Sequence, residues 1–195
     1  MKLLSFITIC SVALAGIACN SSYTVKRKGY FRIDFPKHEY RVFDKPGYPY
    51  TFEYPVYAEV IQDSTFFEDR PENPYWINVD IPRFNGKIYI SYKEIGKNDL
   101  TKLVNDAFSL TYKHTQKATE INDSLMFTPS GLTGIFFNVG GNAATAKQFF
   151  VTDSVNHFLR GALYFDATPN EDSLGIVNDF LQVDMKHLIN TLQWK

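Results

Sequence analysis

An acid, a serine and a histidine stand close together at Asp153-Ser154 and His157. These are the residue types of a hydrolytic nucleophile, its base and the group that orients the base. No Gly-x-Ser-x-Gly elbow surrounds the serine, however, and catalytic triads are assembled in space, so adjacency along the chain says little. Asp153-Ser154 reads instead as a turn between two strands. The four histidines, His38, His114, His157 and His187, share no metal-ligand spacing. Gly140-Gly141-Asn142 lacks the Gly-Lys-Ser/Thr ending of a phosphate loop, and Lys147 lies too far along to supply it. Nothing selects a carboxylate pair for glycoside hydrolysis from the 21 Asp and Glu. The pattern assigns no catalytic residue, no metal ligand and no cofactor, and no enzymatic activity is expected.

Two side chains stand out as candidate contacts for a partner or a ligand, Arg160 and His114. In strict strand alternation Arg160 shares a face with Phe158, Ala162 and Tyr164. A guanidinium there is expected to stack on a ring or to pair with a carboxylate. His114 falls on an apolar helical stripe, where a buried imidazole with one satisfied hydrogen bond is expected. Lys113 lies just outside that stripe and is expected to be solvated.

The elements that must position these residues show two periods. Between Tyr30 and Tyr92 fall 17 of the aromatic residues and seven of the nine prolines, and short aromatic runs closed by proline read as strands. Strands are predicted at Tyr30–Phe35, Tyr50–Tyr54, Tyr75–Ile81 and Lys87–Tyr92, with a loop from Asp63 to Pro74. From Asn98 the spacing becomes three and four: Leu100, Leu103, Ala107, Leu110, His114, Ala118 and Ile121 form one helical stripe, capped by Asn98 or Asp99. Ile135–Val139 and Lys147–Val151 flank Gly140-Gly141-Asn142 as a hairpin or a looser loop of the same kind, and Val155–Asp166 is a further strand. A last helix begins at the Thr168-Pro169-Asn170-Glu171 capping signal, or at Asp172 or Ser173. It carries Leu174, Val177, Leu181, Met185, Leu188 and Leu192. The order of elements gives an α+β protein, an antiparallel sheet packed by two main helices.

The amino terminus is different in kind. Lys2 precedes an apolar stretch, Leu3 to Ala18, which is too short and too polar for a spanning helix. It ends in Gly16-Ile17-Ala18-Cys19 and reads as a secretory signal of the lipoprotein type, in which Cys19 becomes the acylated first residue. The expected organisation is a signal over 1–18, a membrane tether over 19–28 and one periplasmic α+β domain over 29–195. Cys10 would leave with the signal and Cys19 would carry lipid, so no disulfide, zinc site or cysteine nucleophile would remain. Lys26-Arg27-Lys28 could attract anionic head groups. A formal charge of −1 gives no reason to expect a nucleic-acid partner.

Several stretches together resemble one family. They include Lys28-Gly29-Tyr30-Phe31-Arg32-Ile33-Asp34-Phe35-Pro36, Phe52-Glu53-Tyr54-Pro55, Tyr112-Lys113-His114-Thr115, Gly140-Gly141-Asn142-Ala143-Ala144 and Thr152-Asp153-Ser154. The most specific is His157-Phe158-Leu159-Arg160-Gly161-Ala162-Leu163-Tyr164-Phe165, followed by Pro169-Asn170, Asp172-Ser173 and Trp194-Lys195. Through nearly all of residues 28–195 the chain is similar to the gliding-motility lipoprotein GldD family. The resemblance implies an envelope lipoprotein needed for gliding and for the associated type IX secretion machinery. Such a protein would touch motility and secretion proteins and, through its lipid, a membrane; a small-molecule ligand is not the expected partner. A looser, architectural likeness is to the Mog1/PsbP-like fold, which transfers no function. Exposed aromatics of the Tyr30–Tyr92 region would be the contact surface, unless they fill the core. Two other readings stay open: an envelope lipoprotein that binds a ligand or peptidoglycan through Arg160 or His114, and a hydrolase using Ser154 and His157.

Overall fold

Period-two burial shapes the molecule. In Gly86–Glu94 the residues Gly86, Ile88, Ile90 and Tyr92 are buried, while Lys87, Tyr89, Ser91 and Lys93 on the other face are half-buried. Ile77–Ile81 alternates in the same way. A strand that buries one row and half-covers the other belongs in a sheet packed on both faces. The computed structural model describes residues 32–64 and 71–195.

Among the described residues, ten strands and two α-helices follow in order: β1 Tyr40–Phe43, β2 Tyr50–Pro55, β3 Glu59–Gln62, β4 Ile77–Ile81, β5 Gly86–Glu94, α1 Leu100–Tyr112, β6 Ala118–Phe127, β7 Thr133–Gly141, β8 Lys147–Thr152, β9 His157–Phe165, α2 Glu171–Thr191 and β10 Gln193–Trp194. The architecture is α+β, with antiparallel sheets and two helices. Seven strands form one sheet in the order β3-β4-β5-β9-β8-β7-β6, and β1-β2-β10 form a small second sheet. The meander from β6 to β9 returns the chain beside β5 in nine residue pairs. Residues 34–195 make one compact unit; of the other, 1–33, only Arg32 and Ile33 are described. No helix among the described residues is long and apolar enough to cross a membrane.

The larger core lies between the first face of the big sheet, α2 and the small sheet. Ile77, Val79, Ile88, Ile90, Leu159 and Leu163 meet Leu181, Met185 and Leu188 of α2 and Tyr50 and Phe52 of β2. A smaller cluster lies on the other face, where Leu103 and Ala107 of α1 cover Phe137, Phe150 and Phe158. Every described aromatic from Phe35 to Tyr92 is buried or half-buried. In this region the aromatics therefore pack into or against the interior, and the exposed aromatic contact surface expected there is not found among its described residues.

Several boundaries differ from expectation. Residues 32–39 contain no strand; Tyr30 and Phe31 lie outside the described residues. Phe35 instead stacks on Phe180 of α2 with ring centroids 4.4 Å apart, so this segment lies on a helix and makes no ladder. Ala118 and Ile121 continue the helical spacing but belong to β6, because Lys113–Gln116 tightens into a 3₁₀ turn and pairing with β7 takes over. Asp99 caps α1, accepting from the Lys102 amide at 2.8 Å. The α2 cap is Asn170, not Thr168: its side chain accepts from the Ser173 amide. The hairpin of β7 and β8 and the central strands fall where the pattern puts them, while the turn at Asp153-Ser154 extends through Asn156, so that β9 starts at His157 and not at Val155.

A buried ion fastens the amino-terminal part of the domain to α2. Asp184 is 1 % exposed, and its carboxylate takes the His38 Nδ1 at 2.7 Å, the Tyr40 hydroxyl at 3.0 Å and the Tyr57 hydroxyl. Burial first, then the Asp184 charge and hydrogen bond, hold both phenols above the ordinary tyrosine value. One turn further on, His187 Nε2 meets Glu53 at 2.6 Å and its ring stacks on Tyr40. Asp184→Ala leaves three polar side chains without their acceptor. It is expected to cost about 2–4 kcal/mol of stability, read as a lowered denaturant midpoint with the slope unchanged.

Candidate functional site

The second face of the large sheet is only partly covered. Along the β5–β9 register, Lys93 stands opposite Phe158, Ser91 opposite Arg160, Tyr89 opposite Ala162 and Lys87 opposite Tyr164. Helix α1 lies over the Phe158 end. Between α1 and this row runs an open groove of about 340 Å³, lined by Leu103, Ala107, Leu110, Lys113, Phe158 and Arg160, with Lys93 and Asp106 beside them.

Arg160 is the central residue. Strand alternation places it with Phe158, Ala162 and Tyr164, as expected. Its partner is neither a ring nor a carboxylate, as was expected, but a neutral amide: its Nη2 donates to Gln148 Oε1 at 2.5 Å. Gln148 reaches it because β8 and β9 pair with Gln148 opposite Ala162 and Phe150 opposite Arg160. Fully buried, Gln148 also lies 3.3 Å from the Thr111 hydroxyl of α1, which is 3.0 Å from the Ala107 carbonyl. Its Nε2 has no partner among the described residues. Burial pushes the Arg160 guanidinium below its ordinary value, and the neighbouring Tyr164 opposes this.

His114 sits in the 3₁₀ turn after α1, half-buried, not on the helix's apolar stripe. Burial first, and then the Arg160 charge, lower its pKa. The two candidates picked out separately by sequence are thus close enough to sense one another. Lys113, next to His114, is exposed as expected and lines the groove. Lys93 is differently placed, since its ammonium pairs with Glu72 at 2.5 Å. Hydrogen bonds from Asn98 and Lys93 hold the Glu72 carboxyl below the usual range.

The Asp153, Ser154 and His157 side chains do not form a relay. Asp153 Oδ1 accepts the backbone amides of Val155, Asn156 and His157 at 2.9–3.0 Å, and Ser154 takes a left-handed φ of 64° at the turn. Burial raises the Asp153 pKa, but those three donors and the His157 charge outweigh it and hold the carboxyl below its usual range. The His157 Nδ1 lies 2.7 Å from the Tyr92 hydroxyl, and Trp194 stacks on the ring. Among the described residues, no group of three or more His, Cys, Asp or Glu is placed to hold a metal ion. Cys19 lies outside the described residues.

Gln148 and Asp184 were not singled out by sequence, though each carried a signal. Gln148 directly precedes the apolar run Phe149-Phe150-Val151 and shares Phe150's face in strand alternation, and Asp184 falls three residues after Leu181 and four before Leu188. A polar residue at such a position marks a buried partner.

The fold defines a class: a small α+β domain whose sheet is packed on one face by a long helix and half-covered on the other, with a basic groove at the open part. The chain belongs to the gliding motility lipoprotein GldD family, whose model matches residues 20–194. Among curated proteins none matches the chain. Among solved structures, the solution structure of cyanobacterial PsbP (CyanoP) from Synechocystis sp. PCC 6803 is similar at a TM-score of 0.49 and 11 % identity. The similarity covers 88 % of this chain and 99 % of that one.

His114 provides a test of the electrostatics. Its folded-state pKa is depressed, so below the ordinary histidine value of about 6.5 the unfolded chain binds a proton that the folded chain refuses. Its contribution to stability is complete above that pH and is lost as pH falls toward the folded value. Arg160→Gln removes one cause of the depression, so NMR titration of the His114 ring is expected to give a higher pKa in that variant.

Proposed function

We propose that this protein is a membrane-anchored, non-enzymatic lipoprotein. On this reading it supports gliding motility and the assembly or stability of the associated type IX secretion machinery through contacts with other proteins. Residues 1–18 are removed as a signal, Cys19 carries the lipid, 19–28 form the tether, and the domain from 29 onward faces the periplasm. Lys26-Arg27-Lys28 then lie beside the anionic membrane surface.

The observation that carries this reading is the family match, which begins one residue after the cysteine that closes the apolar segment. The geometry supports the non-enzymatic part. The Asp153 carboxylate is engaged in holding a turn and does not orient His157, whose Nδ1 is taken by Tyr92, and no hydrogen bond among the described residues joins the Ser154 hydroxyl to the His157 ring.

In a deletion strain, Cys19→Ala is expected to leave the membrane fraction and to fail to restore gliding. Mass spectrometry of the mature wild-type N-terminus is expected to find a lipid on Cys19. Ser154→Ala is expected to restore gliding fully; loss of gliding in that variant at normal protein level would refute the non-enzymatic reading. Cross-linking in intact membranes should recover motility or secretion proteins, and recovery of none would remove the protein-contact role.

A further inference from the structure

A mostly buried guanidinium is normally paired with an acid, because a charge taken out of water loses hydration that only an opposite charge and full hydrogen bonding replace. Arg160 has one side-chain hydrogen bond, to the neutral Gln148 amide, and no carboxylate partner among the described residues. Lys113 at the mouth of the same groove is exposed and likewise has no acid partner there. Lys93 is already neutralised by Glu72. The one acid lining the groove is the exposed Asp106. The site therefore presents two uncompensated cations above walls made by Leu103, Ala107, Leu110 and Phe158.

We propose that this groove receives an acidic side chain, flanked by apolar residues, from a partner protein, with Arg160 binding the carboxylate at the floor and Lys113 closing over it at the rim. The proposal rests on the reading that the protein works through protein contacts, and it names the chemistry of one such contact. The planar fork of Arg160 suits a carboxylate, and Gln148 occupies only one of its donors. The apolar walls lower the dielectric on their side of the pair, which strengthens it over a fully solvated surface ion pair.

Two observations favour a protein segment over a free small molecule. The volume is at the small end for ligand pockets, which enclose most of their ligand. Above the buried Leu103 and Ala107, in contrast, the α1 side carries exposed residues, Asp106, Ser109 and Leu110, with Lys113 just past the helix end, so an occupant remains open on that side. A partner that inserts one acid and rests the remainder of its surface on α1 uses that openness.

The test is zero-length carbodiimide coupling in intact membranes carrying the full-length lipoprotein, since this reagent joins an ammonium only to a carboxylate in contact with it. The expected product links Lys113 to an Asp or Glu of another protein, with a yield at least tenfold lower in Arg160→Gln. The thermal midpoint of Arg160→Gln is expected to equal or exceed that of the wild type, because the variant removes a charge with no acid partner; a midpoint lower by many degrees would make Arg160 a structural residue and overturn the proposal. Lys113→Glu, an exposed change that leaves the fold intact, is expected to abolish gliding at normal protein level, and normal gliding would count equally against the groove. If Lys113 joins only to acids of its own chain, such as Asp106 or Glu72, the groove has no outside occupant and the proposal fails. If other lysines join to motility or secretion proteins and Lys113 does not, the groove proposal fails while the protein-contact reading stands. If no lysine joins to another protein, both fail.

Discussion

Nine consecutive residue pairs join β5 to β9, from Gly86 opposite Phe165 to Glu94 opposite His157, and both faces of the domain follow from that register. On one face it aligns Ile88, Ile90, Leu159 and Leu163 beneath α2. On the other it aligns Lys93, Ser91, Phe158 and Arg160 beside α1. Because side chains alternate with period two, a slip of one residue would carry Arg160 into the apolar core and put Leu159 on the groove side. The same pairing closes the topology, since β9 returns beside β5 only after α1 and the β6–β8 meander have been laid down. Gly161 belongs to this arrangement: a Cβ there would fall 2.3 Å from the Phe149 ring, so the ring lies against bare β9 backbone next to Arg160.

Two buried ions are treated in opposite ways. Asp184 has three donors around it, and the bonds it accepts tie His38, Tyr40 and Tyr57 to α2; charge-assisted bonds of this kind are the strong ones. Arg160 receives one neutral acceptor. Removing an ion from water costs on the order of several kcal/mol, recovered only when geometry and partners are good. A fold optimised for stability alone would place Met or Leu where Arg160 stands, against Phe158 and Leu103. The same reasoning applies to Gln148, whose Nε2 is unpartnered inside an otherwise apolar layer. These two residues contact one another, so an underpaired cation and an amide with an unpartnered Nε2 meet beside a partly uncovered part of the sheet.

Much of this was legible in the chain. Alternation at Lys87–Tyr92 and Val155–Asp166 identifies the two central strands, and it places Arg160 with Phe158 and Tyr164. Asp99 announced its helix, because a side-chain acceptor before an apolar stripe has few other uses. The helix end was misread because Ala118 and Ile121 keep the three-four spacing, and only the presence of β7 alongside makes them a strand. Strands β3 and β10 are four and two residues long, too short to show a period. The groove and the Asp184 hydrogen-bond cluster are illegible for another reason. Arg160 meets Gln148, and Asp184 meets His38 across 146 positions; one sequence records that a polar residue interrupts an apolar pattern, but not which residue it meets.

A groove that offers one buried ion pair and a few apolar contacts is a weak site in isolation, since interfaces well below about 1,200 Å² are transient. Anchoring changes what weakness means. From Cys19 to Asp34 there are fifteen residue steps, which reach about 50 Å at full extension. Under the proposed lipid attachment at Cys19, a partner held in the same membrane is met at an effective concentration on the order of millimolar. A dissociation constant of about 1 mM, roughly 4 kcal/mol of binding free energy, is then enough for substantial occupancy. Such a contact forms and breaks quickly. The anchor would supply most of the affinity, leaving Arg160 to supply discrimination: an acid seated in the groove satisfies a buried charge, whereas a neutral side chain there leaves the charge unsatisfied and adds its own desolvation.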